Sequence, residues 1–211
     1  VPTRRRAVMR KRPGHKTAQL AAILGLAAPP LPVAWFAPED RTRARALVGP
    51  GSTPVIALGP TANWDGKVWP AERFVALTRA LQAGPLAGAR VVVLAGPGAQ
   101  ERALAAPVLA ALPQAIDLAG RLTLAEAAAC LAECALFVGN DSGLMHLAAA
   151  AGTPTLGLFG PTPAAEYAPA GRRARAVLAQ GDRMEDLSVE AAFAAACGLL
   201  EPVARTVEPA A

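Results

Sequence analysis

Asp141, Ser142, Gly143 and His146 fall within six residues of one another, and an Ala/Leu-rich run follows them as far as Gly152. If that run is a helix, its first amides, near Ser142, Gly143 and Leu144, lack intrahelical partners and lie at the positive end of the helix dipole. A turn of this kind suits an anion such as a diphosphate. Gly143 would let a ligand approach the backbone, and the Ser142 hydroxyl could donate to it. His146 lies four residues after Ser142, about one helical turn along the same face. Asp141 has two readings, because a carboxylate repels a phosphate: it caps the helix, or it accepts from a sugar hydroxyl beside the phosphate. Asp or Ser before a helix is often only an N-cap, and a histidine on an Ala-rich helix is often only packed.

The elements that must position these residues are legible around them. Residues 135–138 form a short apolar run before Gly139-Asn140-Asp141-Ser142-Gly143, and a second apolar run, 155–159, closes on Gly160-Pro161-Thr162-Pro163. The pattern reads strand, tight turn, helix, glycine stop, strand. Upstream, 54–58 reads as a strand leading into a polar loop that carries Asn63 and Lys67, and Trp69-Pro70 opens a helix. Strands at 90–95 and 115–118 alternate with helices at 100–112 and 123–134, the latter opened by a Thr123–Glu126 capping box. Pro107 should kink or restart the helix it falls in. A strand at 174–179 and a helix from Ser188 complete an α/β, doubly wound parallel sheet. In such a sheet the loops after Leu58, Ala95, Val138 and Phe159 should converge on a ligand at the carboxyl edge.

The string Asn140-Asp-Ser-Gly-Leu-Met-His-Leu-Ala-Ala-Ala, followed by Gly-Thr-Pro-Thr and Leu-Phe-Gly-Pro-Thr162, resembles the signature of glycosyltransferase family 9, the heptosyltransferases of lipopolysaccharide core synthesis. Gly66-Lys67-Val68-Trp69-Pro70 is similar to that family's lysine before tryptophan and proline. The resemblance implies the Rossmann-like C-terminal domain of a GT-B glycosyltransferase. Lys67 would then contact the donor diphosphate and stabilise the leaving group, as a fixed ammonium does for charge that grows in the transition state. Glu101 is matched to an acid that binds the nucleotide ribose. Asn63 stands where some members place a phosphate-contacting hydroxyl, so its role is open. The remaining implied donor-binding residues are Asp141, Ser142, Gly143 and His146.

The implied reaction is an inverting transfer, with ADP-heptose the typical donor and a lipopolysaccharide-type glycan the acceptor. The general base is usually an Asp of the other domain and is not expected here. The resemblance also places the protein in the cytoplasm, peripherally at the inner face of the inner membrane. Residues 1–14 are read as a basic remnant of a missing N-terminal domain, 15–52 as an interdomain helix and linker, and 53–211 as the donor-binding domain. This would be the donor-binding half of an enzyme, inactive alone. The alternatives are a non-catalytic nucleotide-binding module and another GT-B relative, such as a nucleotide-sugar epimerase. A nicotinamide dehydrogenase is weakened by Gly96-Pro97-Gly98, whose third fingerprint glycine is replaced by Glu101.

Composition narrows the classes further. Of 211 residues, 53% are apolar and 4% aromatic, which favours small-residue helices packed on a sheet. Seven of the 21 basic residues lie in 1–16, leaving 14 to face 16 acidic ones. The high pI therefore belongs to the N-terminal end, and no nucleic-acid surface over the domain is expected. Cys130, Cys134 and Cys197 are too few for a disulfide framework and read as buried thiols of a reducing compartment. No cofactor or metal is expected, since there is no D-x-D pair to hold a cation on a diphosphate. The uncharged stretch 20–37 superficially resembles a signal or spanning segment, but Pro29, Pro30 and Pro32 break it. It reads instead as a helix over 15–26 followed by an extended connection.

Overall fold

The computed structural model describes residues 13–49 and 51–201; the basic segment 1–12 and residues 202–211 lie outside the described residues. Six parallel strands form one sheet: β1 (Val55–Gly59), β2 (Arg90–Val93), β3 (Ile116–Asp117), β4 (Leu136–Asn140), β5 (Thr155–Phe159) and β6 (Ala174–Leu178). Their order is β3-β2-β1-β4-β5-β6, so the sequence direction reverses between β1 and β4. That reversal leaves a crevice at the carboxyl ends of these two neighbours.

Apolar runs without polar alternation become central strands because both faces of the sheet are covered. Ile56, Leu58, Leu136, Val138, Leu156 and Leu158 face a layer made by α3 (Ala71–Ala83), α4 (Ala99–Ala111) and α8 (Val189–Leu200). Val55, Ala57, Val92, Leu94 and Phe137 face the opposite layer, of α2 (Pro38–Val48), α5 (Leu124–Ala132) and α6 (Gly143–Ala150). Gly59 and Gly139 are register partners on β1 and β4. The Phe137 ring lies over both, and a Cβ at Gly139 would stand 2.6 Å from its Cζ and 2.9 Å from the Gly59 carbonyl oxygen. Glycine there lets the two strands meet at the crevice.

Helix starts follow the sequence chemistry. Thr123 Oγ accepts from the Glu126 amide at 3.3 Å while the Thr123 amide donates to Glu126 Oε2 at 2.8 Å, the reciprocal pair expected of a capping box. Ser188 Oγ accepts from the Ala191 amide at 3.1 Å and starts α8. Pro107 does not restart the helix: α4 is continuous with Pro107 inside. Pro107 and Ala103 are both exposed, so water can serve the carbonyl that the missing N–H leaves unbonded.

The first part of the chain is tied to this body. α1 (Lys16–Ile23) is capped by His15, whose Nδ1 accepts from the Thr17 amide at 3.2 Å and whose Nε2 donates to the Ala168 carbonyl at 2.8 Å. Lys16 Nζ pairs with Glu166 at 3.0 Å, on the short helix α7 (Ala164–Tyr167). The connection after α1 carries no helix or strand over 29–37, and its Ala34 amide donates to the carbonyl of Ala150, the last residue of α6, at 2.9 Å. Within the 15–52 stretch, α2 packs Ala44 and Val48 into the core beside α5, while Arg43 and Arg45 pair with Glu126 and Glu133 at its rim.

Candidate functional site

The loops after β1, β2, β3 and β4 surround one cleft of about 910 Å³ at the strand reversal. All seven residues singled out from sequence, Asn63, Lys67, Glu101, Asp141, Ser142, Gly143 and His146, line it. The loop after Phe159 does not. Gly160 is packed against Met184 instead, where an added Cβ would lie 2.8 Å from the Met184 sulfur. The loop after β3 takes the place expected for it, contributing Leu118, Leu122 and Thr123.

Lys67 ends a 3-10 turn, Asp65–Lys67, in the loop between β1 and α3. Its ammonium donates to Asp141 Oδ2 at 2.9 Å, with the two side chains 18% and 6% exposed. Asp141 is thus neither the helix cap nor free in the cleft: Ser142 occupies the N-cap position of α6, and the Asp141 carboxylate is held by Lys67. The pair brings a cation to the start of α6, 74 residues away in sequence. Ser142 makes no side-chain capping bond, and its buried Oγ has no hydrogen-bond partner among the described residues. A Cβ built on Gly143 would meet nothing within 4 Å, so the first turn of the helix opens onto space.

His146 is pushed below its ordinary value of 6.5 chiefly by burial; Asp141 opposes that shift, while His15 and Lys67 add to it. The ring is therefore neutral at pH 7 and able to gain a proton when negative charge arrives beside it. Glu101 uses one carboxylate oxygen to accept from the Gly98 amide at 3.3 Å, capping its own helix at the cleft wall. Asn63 is exposed at the mouth.

Sequence reading missed most of the apolar lining. Leu94, Leu118, Leu122, Leu124, Ala127, Leu147 and Ala150, with Pro32 from the connection, give the cleft a non-polar side able to cover a flat ring. An apolar residue at a cleft has the same sequence pattern as one in the core, so no local signal separates them. Thr61, buried and lining the cleft two residues before Asn63, was also missed. So was Asn140, which is fully buried and accepts a hydrogen bond from the Trp69 amide at 3.1 Å. Among the described residues no group of three or more His, Cys, Asp or Glu side chains is placed to hold a metal ion. Cys130 and Cys134 are buried; burial raises the Cys130 thiol to about 11 and Cys134 higher still.

Strand order and cleft together define a Rossmann-like domain of the GT-B kind. The family model described as Glycosyltransferase family 9 (heptosyltransferase) matches residues 5–196, and the chain belongs to that family. It is 34% identical over 125 residues to lipooligosaccharide heptosyltransferase 2 of Haemophilus influenzae, a match covering 56% of this chain and 34% of that protein. To lipopolysaccharide heptosyltransferase 3 of Escherichia coli it is 35% identical over 109 residues, 51% of this chain and 31% of the relative. The matches thus span about a third of the length of these relatives. Among solved structures, E. coli ADP-heptose LPS heptosyltransferase II superposes with a TM-score of 0.70 at 25% identity, covering 82% of this chain and 55% of the other. A family 9 glycosyltransferase from Veillonella parvula shares the fold with a TM-score of 0.77 at 23% identity, covering 91% and 61%.

Proposed function

We propose that this chain carries the donor-binding half of an inverting glycosyltransferase that moves a heptose from ADP-heptose to a lipopolysaccharide-type acceptor. The observation that carries the reading is the Lys67 ammonium held at the start of α6, inside the cleft at the strand reversal. A diphosphate laid there meets a cation on one side and the unpaired amides of the first turn on the other. The Ser142 hydroxyl is available to donate to it, and Thr61 and Asn63 approach from the β1 loop. The apolar side receives the base, and Glu101 and Asp141 are the acids near enough to the cleft to accept from sugar hydroxyls.

In the transfer, the acceptor oxygen forms a bond to the anomeric carbon as the bond from that carbon to the diphosphate oxygen breaks. The electron pair leaves with the nucleoside diphosphate. Lys67 and the α6 amides meet the added charge, and their interaction grows as the bond lengthens, which is what lowers the barrier. The proton of the acceptor hydroxyl goes to a base supplied from outside this domain. On this reading residues 15–52 connect to an acceptor-binding lobe, a view supported by apolar side chains left in solvent along them, such as Leu24 and Trp35 at 73% and 87% exposure. The site of action is the cytoplasm, at the inner face of the inner membrane; no helix among the described residues is long and apolar enough to cross one.

Titration calorimetry with ADP, UDP and NAD tests the proposal. ADP binding that weakens on the order of 100-fold in Lys67→Met supports it, and a preference for NAD overturns it.

A further inference from the structure

Asn140, the last residue of β4, is fully buried after three apolar neighbours, Leu136, Phe137 and Val138. An amide is costly there unless its polar atoms are used. Only part of it is: Oδ1 accepts from the Trp69 amide at 3.1 Å, and the buried Nδ2 has no hydrogen-bond partner among the described residues. A strand position that packs well with leucine or valine thus carries a half-satisfied amide, and what the amide holds is one backbone N–H.

That N–H lies two residues after Lys67. Trp69 is itself anchored: Nε1 donates to the Leu187 carbonyl at 2.9 Å, and the buried ring meets Phe74 edge-on with centroids 5.1 Å apart. The residue after Asn140 is Asp141, which takes the Lys67 ammonium. Two consecutive residues at the end of β4 therefore grip residues 69 and 67 of another loop, one by its backbone and one by its side chain. Between them the turn is closed by the Lys67 amide on the Trp64 carbonyl at 3.0 Å and the Val68 amide on Asp65 at 2.9 Å.

We infer that Asn140 is a positioning residue for the Lys67 ammonium, acting through the Trp69 amide. The inference rests on the nucleotide-binding reading above. A lysine stem has many rotamers, and an ion pair at its tip does not by itself fix where the stem begins. Anchoring the backbone two residues away does, so the ammonium is already in place when an anion arrives and less is lost in ordering it.

The test is a double-mutant cycle on ADP affinity, read by calorimetry and, for weak variants, by ligand-observed NMR. It compares the wild type, Asn140→Leu, Lys67→Met and the double variant, with thermal midpoints recorded for each. Asn140→Leu leaves the Trp69 amide without its acceptor but also removes the unsatisfied Nδ2, so the midpoint should move little. ADP affinity should fall about ten-fold, the loss expected when a charge-assisted contact is loosened. In the Lys67→Met background the same substitution should change affinity less than about two-fold, because the group it positions is gone. A full ten-fold further loss in that background, or no loss in Asn140→Leu alone, overturns the inference and leaves the nucleotide reading standing. Absence of ADP binding by the wild type overturns the nucleotide reading instead. Should Asn140→Leu not fold, Asn140→Thr, β-branched and suited to a strand, is measured against the same criteria.

Discussion

Replacing Lys67 by methionine keeps the unbranched apolar stem, one atom shorter, and removes the charge. The ammonium is 2.9 Å from a carboxylate that is only 6% exposed, so two effects add when it goes. The diphosphate loses a charge-assisted hydrogen bond, worth about 1.5–3 kcal/mol. The Asp141 carboxylate, no longer neutralised, then faces the incoming anion across the same turn. At about 1.4 kcal/mol per factor of ten, the first effect alone weakens ADP roughly 10- to 150-fold. The second should bring the total to the order of 100-fold or more. Calorimetry of ADP binding at fixed ionic strength measures this, and the dependence of affinity on added salt should be shallower in the variant. Adding Asp141→Asn to Lys67→Met removes the unpaired carboxylate, so the double variant should regain roughly ten-fold in affinity and some thermal stability. Binding by Lys67→Met within about three-fold of wild type would refute the reasoning, since the cation would then stand outside the site.

Gly143→Ala should fold at least as well as wild type, because the added methyl meets nothing within 4 Å and alanine suits a helix better. ADP affinity should nevertheless drop about ten-fold or more if a phosphate lies on that turn; calorimetry and thermal melts on one sample separate the two effects. His146 has its folded-state value below 6.5, so near pH 6 the unfolded chain binds the proton more readily than the folded one. Its contribution to stability is therefore complete above about 6.5 and is lost as the pH falls, and His146→Gln should flatten the melting midpoint over pH 7 to 5. Thr123→Ala removes one half of the reciprocal cap on α5 and should cost about 1 kcal/mol, a fall of roughly 2–4 °C in the melting midpoint by calorimetric scan.

How far the sequence carried the account depends on the range over which each signal acts. Strand, turn and helix at 135–152 were legible because apolar periodicity, a turn of small residues and a glycine stop all act locally. The stop, Gly152, has φ +85°, a conformation an L side chain rarely adopts. The convergence of Lys67 with Asp141 was legible only through the rule that parallel strands expose their carboxyl ends together. The bond between them, spanning 74 residues, has no local signature. That is why the cap reading of Asp141 failed, Ser142 taking that position, and why its role as counter-ion of Lys67 was not foreseen beside the sugar-ligand reading. The loop after Phe159 was expected in the cleft because all strand-end loops look alike in sequence. It packs on Met184 instead, a tertiary contact with no local signal. At Pro107 the restart that the local rule allows does not occur: α4 runs on past the proline, which lies on an exposed face. Asn140 was read as part of a turn; its burial and its grip on Trp69 follow only from the pairing of β4 between β1 and β5.

The central claim is that a nucleoside diphosphate lies between the Lys67 ammonium and the first turn of α6. A crystal structure of the protein with ADP addresses it most directly. Phosphate oxygens are expected within about 3 Å of Lys67 Nζ and of the Gly143 amide, with the base against Leu122 and Leu147. Diphosphate density elsewhere, with Lys67 still closed on Asp141 and α6 facing only solvent, would contradict it.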